Sequence, residues 1–119
     1  MQMKNNICYE CESGWNPLIN KVKRIIHKYN LKHKNDKNFE PLGFSQVKEK
    51  WGALTIYTNY YVPRVTKYIR KVEYESYKVC EQCGTRKNNV HCEPTHGWYM
   101  TLCDKCRKEE IERHNKIFK

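Results

Sequence analysis

The sequence predicts an α+β protein in which a helix, a β-hairpin and a second helix pack with a C-terminal treble-clef zinc module. Three observations carry that prediction. Two Cys-x-x-Cys pairs, Cys80/Cys83 and Cys103/Cys106, are separated by nineteen residues, a spacing at which four thiolates can converge on one tetrahedral ion. Two stretches, opening at Asn16-Pro17 and at Pro63, repeat apolar residues at helical spacing. Between them lies a segment that alternates as strands do and is broken at Trp51-Gly52.

After a short extended start, Asn16 is placed to cap a helix and Pro17 to occupy its first turn, where a missing N–H costs nothing. Leu18, Val22, Ile25 and Tyr29 form its apolar stripe, and Lys21, Arg24, Lys28 and Lys32 its opposite face. The polar run from Lys32 to Asn38 reads as a loop. Phe39 to Lys50 and Trp51 to Tyr61 read as extended, turning near Glu49-Lys50-Trp51-Gly52. The second strand sets Leu54, Ile56 and Thr58 on one face and Trp51, Ala53, Thr55 and Tyr57 on the other. Bulk on both faces predicts a strand that is central or covered on each face, in a hairpin with helices packed against it. Pro63 then opens a second helix with Val65, Ile69, Val72, Ser76 and Val79 inward and Arg64, Lys67, Lys71, Tyr74 and Lys78 outward.

The two cysteine pairs have different downstream neighbours. Cys83 runs into Gly84, as a knuckle turn requires, whereas Cys106 runs into Arg107-Lys108-Glu109-Glu110-Ile111, which reads as helix. One pair on a turn and one on a helix N-terminus is a treble-clef arrangement rather than a zinc ribbon, and the positive end of the helix dipole suits thiolates. Disulfides are the alternative. The first six residues are polar and contain no apolar core of a secretory signal, so the reading is a cytoplasmic, zinc-binding chain. The organisation expected is a basic αββα region over residues 1–79 and a zinc module over residues 80–119, packed as one body.

A 119-residue chain with no long apolar run excludes a membrane-spanning protein and gains stability from a metal crosslink. The formal net charge is +10. Residues 1–79 hold 15 of the 23 basic residues and 7 of the 13 acidic ones, so the positive surface belongs to the first two thirds. Four thiolates and a divalent ion would leave the module near neutral. Zinc is therefore read as structural, and the acidic partner is expected on the N-terminal part. The candidate contact residues are Lys21, Arg24 and Lys28 on the first helix and Arg64, Lys67, Lys71, Tyr74 and Lys78 on the second, with Tyr60, Tyr61, Tyr68 and Tyr77 near enough to stack on bases. A solvated helix face, or a Lys-, Asn-, Ile- and Tyr-rich composition inherited from an AT-rich genome, would account for the same charge without a partner.

Cys8-Tyr9-Glu10-Cys11 is a third Cys-x-x-Cys, and Cys92 lies beside His91. Cys8, Cys11, His91 and Cys92 form a candidate second metal set, set against a reading of free thiols. His27, His33 and His114 read as solvated.

Three separated segments, Ser13-Gly14-Trp15-Asn16-Pro17-Leu18-Ile19, Gln46-Val47-Lys48-Glu49-Lys50-Trp51-Gly52-Ala53-Leu54 and Gly97-Trp98-Tyr99-Met100-Thr101-Leu102-Cys103, with Cys80-x-x-Cys83-Gly84 before the last, resemble a family of small uncharacterised phage and prophage proteins. The resemblance spans nearly the whole chain and implies a viral or mobile-element origin. Cys106 stands where many relatives carry His, an exchange that keeps tetrahedral coordination plausible.

The functional expectation is a non-enzymatic protein that binds nucleic acid or a nucleoprotein through its basic surface. A second reading is a phage-encoded inhibitor of a host defence system, of the anti-CRISPR type, that docks on a host protein. A third is an HNH-like nuclease, since treble clefs also host those, with His91 or His96 as the catalytic histidine. Against it, no Asn falls between Gly97 and Cys106, and Arg107 occupies the position where a second metal-binding His would help.

Overall fold

The computed structural model describes residues 9–87 and 89–118. Its elements run β1 (Tyr9–Glu10), a 3₁₀ turn (Ser13–Trp15), α1 (Asn16–His33), β2 (Phe44–Lys50), β3 (Ala53–Thr58), α2 (Pro63–Glu75), a second 3₁₀ turn (Ser76–Lys78), β4 (Val90–Thr95), β5 (Trp98–Cys103) and α3 (Asp104–Phe118). This is the expected α+β order, with the knuckle, hairpin and helix of a treble clef at the end. Among the described residues, no helix is long and apolar enough to cross a membrane.

Asn16 does not cap α1. The 3₁₀ turn feeds straight into the helix, so Asn16 already has helical dihedrals, with φ −53° and ψ −41°. The buried stripe is Leu18, Ile19, Val22, Ile26 and Asn30, with Ile25 and Tyr29 packed at its margin. Asn30 is the buried polar member: its side chain accepts from Leu42 N–H at 2.8 Å and donates to Leu42 C=O at 2.9 Å. That pair satisfies the backbone of the chain entering β2, where no strand partner does so.

The first sheet has the order β1-β2-β3, with β1 parallel and β3 antiparallel to β2. Lys50 pairs with Ala53, leaving Trp51 (φ 55°) and Gly52 (φ 83°) as a two-residue turn with both central residues left-handed, the twist that tight hairpins favour. Helices cover one face only, contrary to the two-sided expectation. Leu54 and Ile56 are buried, while Tyr57 on the other face is 43% exposed. β3 is an edge strand, yet its backbone donors are not left open. Leu54 N–H donates to Ser76 Oγ and Ile56 N–H to Glu73 Oε2, each at 2.9 Å, so α2 closes the edge with polar side chains.

The C-terminal hairpin β4–β5 turns at His96 (φ 43°) and Gly97 (φ 84°), with Thr95 paired to Trp98. Beneath it lies Arg107, only 9% exposed. Its guanidinium donates to Thr95 Oγ1 and to the carbonyls of His91 and Leu102, and its Nε stands 3.2 Å from Glu93 Oε1. A planar fork with several donors can serve several acceptors at once, which an ammonium cannot.

Backbone contacts join the two parts of the chain. Gly14 N–H donates to Glu81 C=O at 2.8 Å, Trp15 Nε1 to Val79 C=O at 2.9 Å, and Glu81 N–H to Thr101 C=O at 2.9 Å. A Cβ on Gly14 would fall 2.2 Å from the Cys80 carbonyl oxygen. Gly14→Ala is therefore expected to separate the 3₁₀ turn from this seam and to destabilise the protein by about 3 kcal/mol or more, the range of severe core lesions. Urea titration followed by the fluorescence of buried Trp15 checks this, with Ser13→Ala as the neighbouring control.

Candidate functional site

The knuckle forms because Gly84, at φ 80°, lets the chain turn back so that its N–H reaches the Cys80 carbonyl at 2.9 Å, while Cys80 N–H reaches Thr85 C=O at 3.0 Å. Cys103 is the last residue of β5, and Cys106 lies in the first turn of α3. The four sulfurs lie within 4.8 Å of one another, and those of Cys83 and Cys103 are 3.8 Å apart. A tetrahedron with metal–sulfur bonds of about 2.3 Å has edges of about 3.8 Å. Backbone N–H groups already point at the sulfurs, Cys83 N–H at Cys80 Sγ (3.5 Å) and Cys106 N–H at Cys103 Sγ (3.4 Å). Three of the cysteines are buried and Cys83 is exposed. This set can hold a metal ion, and four protein ligands would fill a tetrahedral coordination sphere.

Without a cation the cluster is in electrostatic conflict. Burial opposes ionisation of Cys80, but the N–H groups of Cys83, Cys103 and Gln82 outweigh it and bring the thiol down to about 7. Burial and the neighbouring Cys103, Cys80 and Cys83 push Cys106 well above the usual thiol range. Cys83 is also raised: the Thr85 N–H opposes the shift, but burial and the adjoining thiols prevail. Cys80 ionises readily while Cys83 and Cys106 resist, which is the conflict a divalent ion resolves.

The candidate second metal set is not assembled from its described members. Cys8 lies outside the described residues. His91 and Cys92 are successive residues of β4 and so project to opposite faces of the hairpin. His91 Nε2 lies 3.7 Å from Asp104 Oδ1, while Cys92 Sγ lies 3.7 Å from Trp51 C=O. Cys11 packs against the main core, and burial, with Glu81, Glu12 and Glu49 nearby, raises its thiol to about 11. The nearby His96 is held by Glu110 at 3.0 Å, and its ring stacks on His114 at 4.2 Å, so the reading of His114 as merely solvated does not hold.

On the basic face, Lys21 of α1 meets Glu75 of α2 at 3.3 Å, bringing the two cationic stripes side by side. Arg24, Lys28 and Arg64 are exposed on them. Lys67, Lys71, Tyr74 and Lys78 border a groove of about 720 Å³ along α2, and Arg64 does not reach it. Arg70, absent from the sequence-level candidates, lines it together with Tyr61. Arg70 sits to one side of the Lys67–Lys71 ridge, and what turns it into a wall is the chain at Tyr61–Pro63 closing that side. Helical periodicity carries no signal of that closure.

Cobalt(II) added to the reduced, chelator-stripped protein is expected to give the thiolate-to-metal absorption of a tetrahedral four-sulfur site, with release of protons, and Cys106→Ser to abolish that spectrum. A second expectation concerns Glu81, which is 4% exposed and accepts from Thr101 N–H at 3.4 Å. Burial, against the Thr101 bond and aided by Glu49, Cys80 and Glu12, pushes this carboxyl up to about 8. Between pH 4.5 and 8 the folded chain therefore keeps a proton that the unfolded chain has released, and stability falls as pH rises through that window. Glu81→Gln is expected to be more stable than the parent at pH 8 by about 1–3 kcal/mol, with the difference shrinking toward pH 5, as read by urea denaturation at each pH.

Searches against protein-family models, curated proteins and solved structures found no match to this chain, so the geometry of the cysteine cluster and of the basic groove is what a functional reading stands on.

Proposed function

We propose that this is a non-enzymatic, cytoplasmic binding protein in which a structural zinc ion clamps the C-terminal module and the basic face of α1 and α2 engages nucleic acid or a nucleoprotein. The observation that carries the reading is the groove along α2, where Lys67, Arg70, Lys71 and Lys78 converge around exposed tyrosine rings. Cations one helical turn apart follow a phosphate backbone, and each neutralised phosphate releases counterions. Zinc is favoured by the donor set: four cysteine sulfurs at tetrahedral spacing form a closed site of the structural kind, and reduced thiols suit a cytoplasmic compartment.

The test has two arms. Elemental analysis of protein purified without chelator is expected to find one zinc per chain. Fluorescence anisotropy with labelled oligonucleotides is expected to show binding that weakens steeply with salt, and Lys67→Glu combined with Lys71→Glu to reduce the log–log salt slope by about 2. A salt slope unchanged in the double variant would remove α2 as the contact surface.

One observation favours a second reading, docking on a host protein as a phage-encoded inhibitor. Trp51 is 70% exposed in a left-handed turn position and packs edge-on against Tyr99 at 6.1 Å. A bulky residue in that backbone region is strained, and exposed Trp and Tyr are the side chains that dominate protein interfaces. A discrete complex recovered from bacterial lysate with the parent and lost with Trp51→Ala would select this reading.

A further inference from the structure

We propose that the α2 groove takes an unpaired nucleic-acid strand, its bases stacking on Tyr74 and Tyr61 while the surrounding cations follow the phosphates. The inference rests on the reading of this face as a nucleic-acid surface and specifies the strand state it accepts.

The tyrosines divide sharply by environment. Tyr60 and Tyr68 pack against the core, and the Tyr60 hydroxyl donates to the Glu40 carbonyl at 2.6 Å. Tyr61 and Tyr74 are each 70% exposed and line the groove. Rings left in water on a groove wall contribute nothing to the core, and every base offers a π-face that such a ring can cover.

Tyr74 also stands in the row of cations. Lys67, Lys71, Tyr74 and Lys78 succeed one another at intervals of three or four residues and so form one ridge. Lys78 Nζ lies 5.6 Å from the Tyr74 ring centroid, a cation–π contact that engages one face of the ring. From Lys67 through the end of α2 and the 3₁₀ turn to Lys78 the ridge is about 18 Å long, the reach of roughly three to five nucleotides.

The groove continues past the helix. A second cavity of about 430 Å³ shares Tyr61, Thr66 and Arg70 with the first and is lined further by Tyr57, Ile56 and Glu73 between β3 and α2. The path from Tyr74 past Tyr61 to Tyr57 is concave and aromatic, with its lysines along α2 and Arg70 where the two cavities meet. A duplex presents phosphates on its outside and keeps its base faces stacked, so it would use the cations and leave these rings idle. An unpaired strand uses both. Two acidic residues line the path: Glu75 is paired with Lys21 and Arg86, which offsets its repulsion of phosphates, and Glu73, in the second cavity, is turned to the Ile56 N–H.

The experiment compares a labelled oligothymidylate, a duplex of the same length and heparin, a polyanion without bases, on the zinc-loaded full chain. The single strand is expected to bind at least ~10-fold more tightly than either competitor. Tyr74→Ala and Tyr61→Ala are each expected to weaken it by about 5- to 100-fold with the salt slope unchanged, and Tyr74→Phe to retain binding. Both positions are exposed, so circular dichroism should match the parent. Equal affinity for single strand and duplex, or alanine variants that bind as the parent does, would overturn this inference and leave the broader nucleic-acid reading standing. Heparin binding as tight as the oligonucleotide would reduce the groove to a general polyanion surface, and absence of binding to all three would defeat both.

Discussion

The architecture depends on one close approach of backbones, the 3₁₀ turn at Gly14-Trp15 against the segment Val79-Cys80-Glu81. That segment gives its carbonyls at Val79 and Glu81 to the turn and its Glu81 N–H to Thr101 of β5. The Cys80 carbonyl, meanwhile, closes the knuckle through Gly84. Three residues therefore serve the main core, the cysteine hairpin and the first sulfur ligand together. Any side chain at position 14 would hold these parts from one another, and the Trp15 indole, fully buried, fills the space behind the seam. The sequence pair Gly14-Trp15 is thus explained by two complementary needs: absence of volume where backbones meet and a large apolar body with one N–H just beyond.

The cysteine cluster imposes the second constraint. Four thiolates around a divalent ion carry an excess of two negative charges, and the structure sets donors around them: backbone N–H groups of the knuckle and the first turn of α3. Arg107, next to Cys106 on the same helix, carries its positive charge under the hairpin and anchors carbonyls from both strands. Ligand geometry and hairpin geometry are therefore coupled through α3. The helix that supplies a sulfur also supplies the cation that holds the strands supplying another.

Much of this was legible in the sequence, and the failures have physical causes. The knuckle, the Trp51-Gly52 turn, Pro63 at the start of α2 and the sulfur ligands declare themselves through local chemistry: spacing, glycine's left-handed freedom, proline's fixed φ. Asn16 misled because capping preference assumes an extended residue before the helix, and a 3₁₀ turn supplies helical geometry instead. Two-sided coverage of β3 was expected from bulk on both faces, yet Thr55 and Tyr57 tolerate partial exposure and α1 and α2 gather on one side. Arg107, Asn30 and Glu73 carry no such signal as structural residues, because their worth lies in backbone groups brought near by tertiary folding; Ser76 is placed inward by periodicity, but its bond to Leu54 N–H is not. The role of Arg70 was hidden in the same way, since a groove has two walls and helical periodicity describes one.

The basic groove and the metal module are not independent, although charge counting assigns them to different parts of the chain. Arg86, just beyond the knuckle, pairs with Glu75 at the end of α2, and Lys21 of α1 pairs with the same carboxylate. Burial disfavours the ionised form of Glu75, but these two cations hold its carboxyl below the ordinary range, so it stays charged and neutralised. Cys80 N–H bonding to Thr85 C=O fixes the approach of Arg86 to this position. On the proposed reading, removal of a bound ion would loosen the knuckle and withdraw Arg86, leaving Lys21 as the one remaining cation on Glu75 at the end of the groove. The cysteine cluster would then tune the proposed contact region by one positive charge, without itself touching a ligand.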